Sequence, residues 1–244
     1  ASASIASITK LMTAMVVLDA DLPLDEPITI EEADRDNLKH SGSRLPIGWT
    51  LTRGELLHLA LMSSDNRAAA ALARHYPGGA DAFVLAMNLK AQALGLADTS
   101  FADSSGLNPA NVSTARDLAR LARAAGTYFL IRQMTTSDQV PFRPLGAGHS
   151  RVFGNSNGLV RDGRWDIGLT KTGYTVEAGS CLVMEAAILE RPVLMVLLDS
   201  TGKLSRIGDA ERVRAWLECG ARPPSSPHRW ICCPESSGRA AGDE

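Results

Sequence analysis

From about Ala6 to Leu18 the chain is apolar nearly all round a helical period, so a helix formed there cannot lie on a surface and has to be wrapped by the rest of the fold. Its polar exceptions, Ser7 and Lys10, cluster at the N-terminal end. At 244 residues, with 45% hydrophobic and 21% charged side chains, the chain can supply that wrapping as one domain or as two lobes. A second reading of Leu11 to Leu18 is a signal peptide. Against it, Asp19 and Asp21 stand where a cleavage site needs small neutral residues, and the run is too short to span a bilayer.

Downstream, a polar and turn-rich stretch from Leu22 to Gly48 contains one short β-like run, Ile28 to Ile30. Thr52-Arg53-Gly54-Glu55 is a capping-box pattern that opens a helix through Met62. A break at Ser63 to Asp65 precedes an Ala-rich helix ending before Pro77, and helical patterns follow over Ala80 to Leu94 and Thr114 to Ala125. After Val152 the pattern changes to short β-branched runs, Ile167 to Thr172, Cys181 to Ala187 and Val193 to Leu198, which predict consecutive antiparallel strands. A last helix is expected over Asp209 to Leu217, and from Cys219 to Glu244 the composition predicts a disordered tail. The expected architecture is therefore α/β (α+β), a helical lobe beside a sheet lobe over residues 1–218, with a cleft between them as the natural site.

A formal charge of −2 argues against a nucleic-acid surface, which needs clustered Lys and Arg. Of four cysteines, only Cys181 lies in the body of the chain, and the spacing gives neither a zinc site nor a disulfide framework.

Three short motifs then occur in one order: Ser7-Ile8-Thr9-Lys10, Ser64-Asp65-Asn66 and Lys171-Thr172-Gly173. Singly, each has an ordinary structural reading. Ser at a helix start is a common cap, Ser64 and Asn66 suit an N-cap, and Lys-Thr-Gly suits a turn with a solvated lysine. Ser200-Thr201-Gly202-Lys203 repeats the first pattern, but Gly202 makes it a turn, whereas Ser7 and Lys10, three apart at a helix start, share a face. Serine needs a base to take its proton, and a lysine serves only if its pKa falls. Burial against the apolar helix, with the like charge of Lys171 across the cleft, is expected to lower it and make Lys10 the general base for Ser7. Ser64 and Asn66, at a helix break, can point into the cleft. The Lys171 cation and the Thr172 hydroxyl can hold a substrate carboxylate, and Gly173 lets an extended peptide approach an edge strand.

Together with Leu57-His58-Leu59-Ala60-Leu61-Met62-Ser63-Ser64, Asn66-Arg67-Ala68-Ala69, Asp103-Ser104-Ser105-Gly106-Leu107, Ser113-Thr114-Ala115-Arg116-Asp117-Leu118-Ala119, Asn155-Ser156-Asn157-Gly158-Leu159 and Lys171 to Gly179, these motifs resemble low-molecular-mass penicillin-binding proteins of the D-alanyl-D-alanine endopeptidase type, S11-type serine peptidases, over about Ala6 to Leu217. The resemblance implies the penicillin-binding protein/β-lactamase-like fold and a periplasmic location. It further implies hydrolysis of D-alanyl bonds in peptidoglycan stem peptides and cross-links through an acyl-serine, with β-lactams as covalent inhibitors. It assigns Ser64 to relay a proton to the leaving amine and the backbone N–H groups of Ser7 and Tyr174 to the oxyanion hole. Tyr174, where carboxypeptidase relatives usually carry His, tilts the expectation towards cross-link cleavage. Acyl transfer of this kind calls for no metal or organic cofactor.

In that family two strands of the central sheet precede the nucleophile, whereas six residues precede Ser7 here. Both strands are expected to be absent, leaving an uncovered sheet edge and a cost in stability and activity. A β-lactamase reading lacks a Glu in a matching loop before Lys171. A D-alanyl-D-alanine carboxypeptidase, a truncated inactive fragment and a non-catalytic peptidoglycan-binding module are the remaining alternatives.

Overall fold

The computed structural model describes residues 2–146, 148–202 and 204–219. The central helix is present with its first turn tightened: Ala6–Thr9 is a 3-10 turn and α1 follows over Lys10–Asp19, with Lys10 through Val17 all buried. Before it, β1 (Ala3–Ser4) pairs antiparallel with β4 (Val112–Ser113), so the loop preceding β4 is drawn onto the start of the buried helix.

The expected β-like run becomes β2 (Pro27–Thr29), paired with β3 (Thr50–Thr52). α2 (Arg53–Met62) opens on the capping box: the Glu55 amide donates to Thr52 Oγ1 at 3.2 Å and the Thr52 amide to Glu55 Oε2 at 2.8 Å. Arg53, almost fully buried, is neutralised by Glu26 and donates to the Pro23 carbonyl. α3 (Asn66–Arg74), α4 (Gly79–Ala93), α5 (Ala115–Ala125) and α6 (Phe129–Thr136) complete the helical part. They close over α1 in a core that includes Leu11, Met12, Met15, Leu57, Leu72 and Leu121.

A two-stranded ribbon, β5 (Gln139–Phe142) with β6 (Arg151–Gly154), and a single turn, α7 (Gly158–Arg161), lead into the main sheet. That sheet is β7 (Asp166–Thr175), β8 (Gly179–Ile188) and β9 (Arg191–Ser200), antiparallel in sequence order, so β7 is an edge strand. β8 is apolar on both faces because each face meets a different core: Cys181 and Val183 join the helical core, Leu182 and Met184 a second one beneath α8 (Ser205–Cys219). The three predicted strands are each longer than the β-branched runs. β8 and β9 join through Leu189 and Glu190 at φ +50° and +60°, a primed turn built without Gly or Asn. The last helix begins four residues before the expected Asp209. Of the expected tail, Cys219 closes α8 and residues 220–244 lie outside the described residues.

Thr52→Ala should cost about 1 kcal/mol through the lost cap, lowering the midpoint of thermal unfolding by about 2–4 °C, as read by calorimetry.

Candidate active site

Lys10 Nζ lies 2.8 Å from Ser7 Oγ, 2.8 Å from Asn66 Oδ1 and 2.7 Å from the Ser105 carbonyl oxygen. The ordinary reading of a solvated lysine fails, because Lys10 is 0% exposed, and no side chain caps the 3-10 turn. Burial pulls its pKa down from 10.5 to about 7, against an upward pull from Asp103 and Asp65. Of its three partners, Asn66 Oδ1 and the Ser105 carbonyl can only accept. A neutral amine has two N–H donors and one lone pair, so with both donors committed to those oxygens the lone pair is left facing the Ser7 hydroxyl. The geometry is that of a base hydrogen-bonded to a nucleophile.

Ser64-Asp65-Asn66 divides its labour in a way that opposes the capping reading of Ser64 and Asn66. Asp65 is the N-cap of α3, accepting from the Ala68 amide at 3.1 Å. Ser64, in the left-handed region at φ +61°, is turned out between α2 and α3, and its hydroxyl makes no hydrogen bond among the described residues. The Ser63 and Asp65 amides both return to the Leu59 carbonyl and close α2 around it. Asn66 is gripped from both ends, Oδ1 by Lys10 and Nδ2 donating to Ser41 Oγ at 3.0 Å, and Ser43 Oγ donates to Asp65 at 2.8 Å.

Lys171-Thr172-Gly173 lies inside β7 and not at its end, which corrects the expected strand boundary at Thr172. Lys171 is buried, and its ammonium donates only to the Thr172 carbonyl at 3.1 Å among the described residues. Its pKa is driven well down by burial first, then by the charges of Lys10 and Arg206. The like-charge effect expected to depress Lys10 thus falls on Lys171, and burial alone lowers Lys10. Thr172 Oγ1 donates to Ser156 Oγ at 2.8 Å and Asn157 Nδ2 to Thr170 Oγ1 at 3.0 Å, so the Asn155-Ser156-Asn157 stretch pins β7 in place. Gly173 packs on the nucleophile turn: an added Cβ would stand 3.0 Å from the Ile5 carbonyl oxygen and 3.2 Å from the Ser7 amide nitrogen. The Ser7 amide lies in the first turn, where helix geometry supplies no backbone partner, and Tyr174 follows on the exposed edge.

The structure adds groups that the motifs did not single out. The loop from Asp103 to Asn111 is welded to the nucleophile turn. Asp103 accepts from the amides of Gly106, Leu107 and Asn108 and from Asn111 Nδ2. Asn111 donates in turn to Thr9 Oγ1, which bonds the Ala6 carbonyl. This loop brings the Ser105 carbonyl to Lys10. Arg206 Nη1 donates to the Gly173 carbonyl at 2.9 Å and, with Tyr174, Ser180 and Gly202, lines a pocket of about 430 Å³ in which a carboxylate can be held. The second Ser-x-x-Lys match is not a helix face: Ser200 ends β9, its hydroxyl donates to Asp209, Gly202 has φ +90°, and Lys203 lies outside the described residues.

An edge strand, a serine in the tight first turn of a buried helix and a desolvated lysine beside it form the arrangement of an active-site-serine peptidase on a mixed α/β fold. The family model for D-alanyl-D-alanine carboxypeptidase, peptidase family S11, matches residues 1–202, and the chain belongs to that family. It is 50% identical over 216 residues to a D-alanyl-D-alanine endopeptidase of Pseudomonas aeruginosa, covering 88% of this chain and 70% of the relative. It is 48% identical over 220 residues to the D-alanyl-D-alanine endopeptidase of Escherichia coli, covering 90% and 71%. Its structure matches the crystal structure of the Streptomyces K15 DD-transpeptidase with a TM-score of 0.80 and 32% identity over 86% of each chain.

Gly106 has φ +85°, and a Cβ there would fall 1.9 Å from the Ala6 carbonyl oxygen, whereas at Gly95, φ +67°, nothing lies within 4 Å. Gly106→Ala should therefore cost about 3 kcal/mol or more and Gly95→Ala about 1 kcal/mol, the backbone term alone, in denaturant unfolding.

Proposed function

We infer that the chain is a serine DD-peptidase that cleaves D-alanyl peptide bonds in peptidoglycan cross-links through an acyl-serine. The observation that carries this reading is the 2.8 Å approach of a fully buried Lys10 amine to Ser7 Oγ, with both of its N–H donors taken by acceptor-only oxygens. The endopeptidase preference rests on the two relatives near 50% identity and on Tyr174 following Lys171-Thr172-Gly173.

In this mechanism Lys10 takes the Ser7 proton as Oγ attacks the D-alanyl carbonyl carbon. The developing oxyanion is met by the Ser7 and Tyr174 amides. Ser64, whose hydroxyl is uncommitted among the described residues, passes its proton to the departing amine as the C–N bond breaks and is reprotonated by Lys10, which returns to the neutral amine. Water then attacks the ester, its proton returning through Lys10 to Ser7 Oγ, and the product is a free D-alanyl carboxylate. The substrate carboxylate beside the scissile bond is held by Lys171, Thr172 and Arg206. An arriving anion favours the charged form of Lys171 that burial opposes. Residues 1–218 form the catalytic unit, and its place of work is the periplasm, where peptidoglycan lies. Among the described residues no helix is long and apolar enough to cross a membrane. β-Lactams, which present a strained amide to the same serine, acylate Ser7 and are retained.

A fluorescent penicillin should label the protein at Ser7, mapped by peptide mass spectrometry. Ser7→Ala should abolish the label and Ser200→Ala leave it intact. Labelling that persists in Ser7→Ala contradicts the assignment.

Because the reactive form of Lys10 is the neutral one and its pKa is about 7, the acylation rate constant should rise with pH and level off above about 8. At pH 6 it should be about a tenth of the plateau. A flat profile between pH 5.5 and 8.5 in stopped-flow labelling removes Lys10 as the base.

On purified muropeptides, a cross-linked dimer should be converted to monomers at a higher kcat/KM than a monomeric pentapeptide loses its terminal D-alanine. The reverse order assigns a carboxypeptidase.

A further inference from the structure

A closed ring of contacts surrounds the slot between β7 and the helical part. At one end Gly173 packs on the turn that carries Ser7. From Ser7 the ring passes through Lys10 and Asn66 to Ser41, by hydrogen bonds of 2.8, 2.8 and 3.0 Å. Two residues before Ser41, Lys39 crosses to the sheet: its Nζ lies 2.5 Å from Oε1 of Glu177, in the turn between β7 and β8, three residues after Tyr174. Among the described residues no other hydrogen bond or ion pair joins residues 36–48 to the β7–β8 hairpin.

Each end of this link is anchored in its own half of the molecule. Asp36 accepts the backbone amides of Leu38, Lys39 and Ser41, which fixes the loop that carries Lys39. The Ala178 amide donates to Thr175 Oγ1 at 3.2 Å, which fixes the turn that carries Glu177. The link itself is two long side chains, 23% and 41% exposed. An ion pair this exposed is weak and is screened by salt. It opens by rotation of the two side chains, with both backbones left in place.

We propose that the Lys39–Glu177 pair is a clasp across the mouth of this slot and sets the enzyme's selectivity by substrate length. The proposal rests on the DD-peptidase reading. Gly173 and Glu177 are four residues apart, about 13 Å at most along an extended strand. A small acylating agent such as benzylpenicillin lies within that span and reacts with the clasp closed. A cross-linked peptide continues past it, crosses the line of the ion pair and is admitted only when the pair opens. Lys39 and Glu177 are specificity determinants and touch no reacting atom.

The test measures kcat/KM for a cross-linked muropeptide dimer and the second-order rate of acylation by benzylpenicillin in the wild type, in Glu177→Gln, in Lys39→Met and in the exchanged double variant Lys39→Glu with Glu177→Lys. Each single variant should raise kcat/KM for the dimer by about two- to fivefold, the worth of one exposed ion pair, and leave the penicillin rate unchanged. The exchanged pair should restore the wild-type value. Added salt should speed the dimer reaction of the wild type relative to that of Glu177→Gln. A dimer kcat/KM that stays level or falls in both single variants, an equal gain for penicillin, or an exchanged pair that behaves like the single variants overturns the proposal. Failure of benzylpenicillin to acylate the wild type would instead strike the DD-peptidase reading itself.

Discussion

The site depends on one amine kept out of water. Lys10 is buried on a helix that is apolar on nearly every side, and its Nζ meets three oxygens brought from three places: the nucleophile turn, the start of α3 and the loop before β4. A charged ammonium in such surroundings forfeits a large hydration energy, so the neutral form gains ground and the pKa falls to about 7. Two acceptor-only oxygens then orient the amine with its lone pair on Ser7. On the proposed mechanism, nucleophile activation is a consequence of packing, and it lasts only as long as the packing excludes water.

The surrounding fold keeps those three oxygens in place. Gly173 and Gly106 let β7 and the 103–111 loop press against the Ala6–Ser7 peptide from different sides, where any Cβ would intrude. Asp103 and Asn111 tie that loop to itself and to Thr9. Asp65 caps α3, which frees Ser64 and Asn66 from capping and lets each face the cleft. Two of the non-glycine residues at positive φ lie here, Ala6 at φ +45° and Ser64 at φ +61°. Non-glycine residues hold such angles only where neighbours over-determine them.

The side chains to which we assign the chemistry were legible in the sequence because each lies in a short motif whose spacing matches its local structure: Ser7 and Lys10 three apart, Ser64 and Asn66 across a helix break, Lys171 in a β-branched run. Helix α2 was equally legible, since its capping box is a local signal. The Ser105 carbonyl was not, because a backbone oxygen leaves no trace in residue identity. Arg206 was missed for another reason: it reaches Gly173 from the first turn of α8, and the periodic pattern of that helix became clear only at Asp209. The β8–β9 pairing was expected as consecutive antiparallel strands, but the position of its turn at Leu189 and Glu190 was not, since the positive φ angles there are taken up by residues that carry no turn signal. Register, too, is a tertiary property. Lys171-Thr172-Gly173 sits mid-strand because β8 pairs with it through Gly179, beyond the end of its own β-branched run.

The edge strand carries Lys171 and, with Arg206, the pocket by Tyr174, while the helical part supplies Asn66 and the 103–111 loop to Lys10 beside Ser7. All of it presumes a Lys10 that is neutral near neutral pH. The direct measurement is a pH titration of the Lys10 side chain by NMR with isotope-labelled lysine, assigned by Lys10→Arg. A midpoint near 7, well separated from the surface lysines, is the expected result. A midpoint near 10.5, the ordinary lysine value, would mean that Ser7 is activated by some other group and would contradict the account.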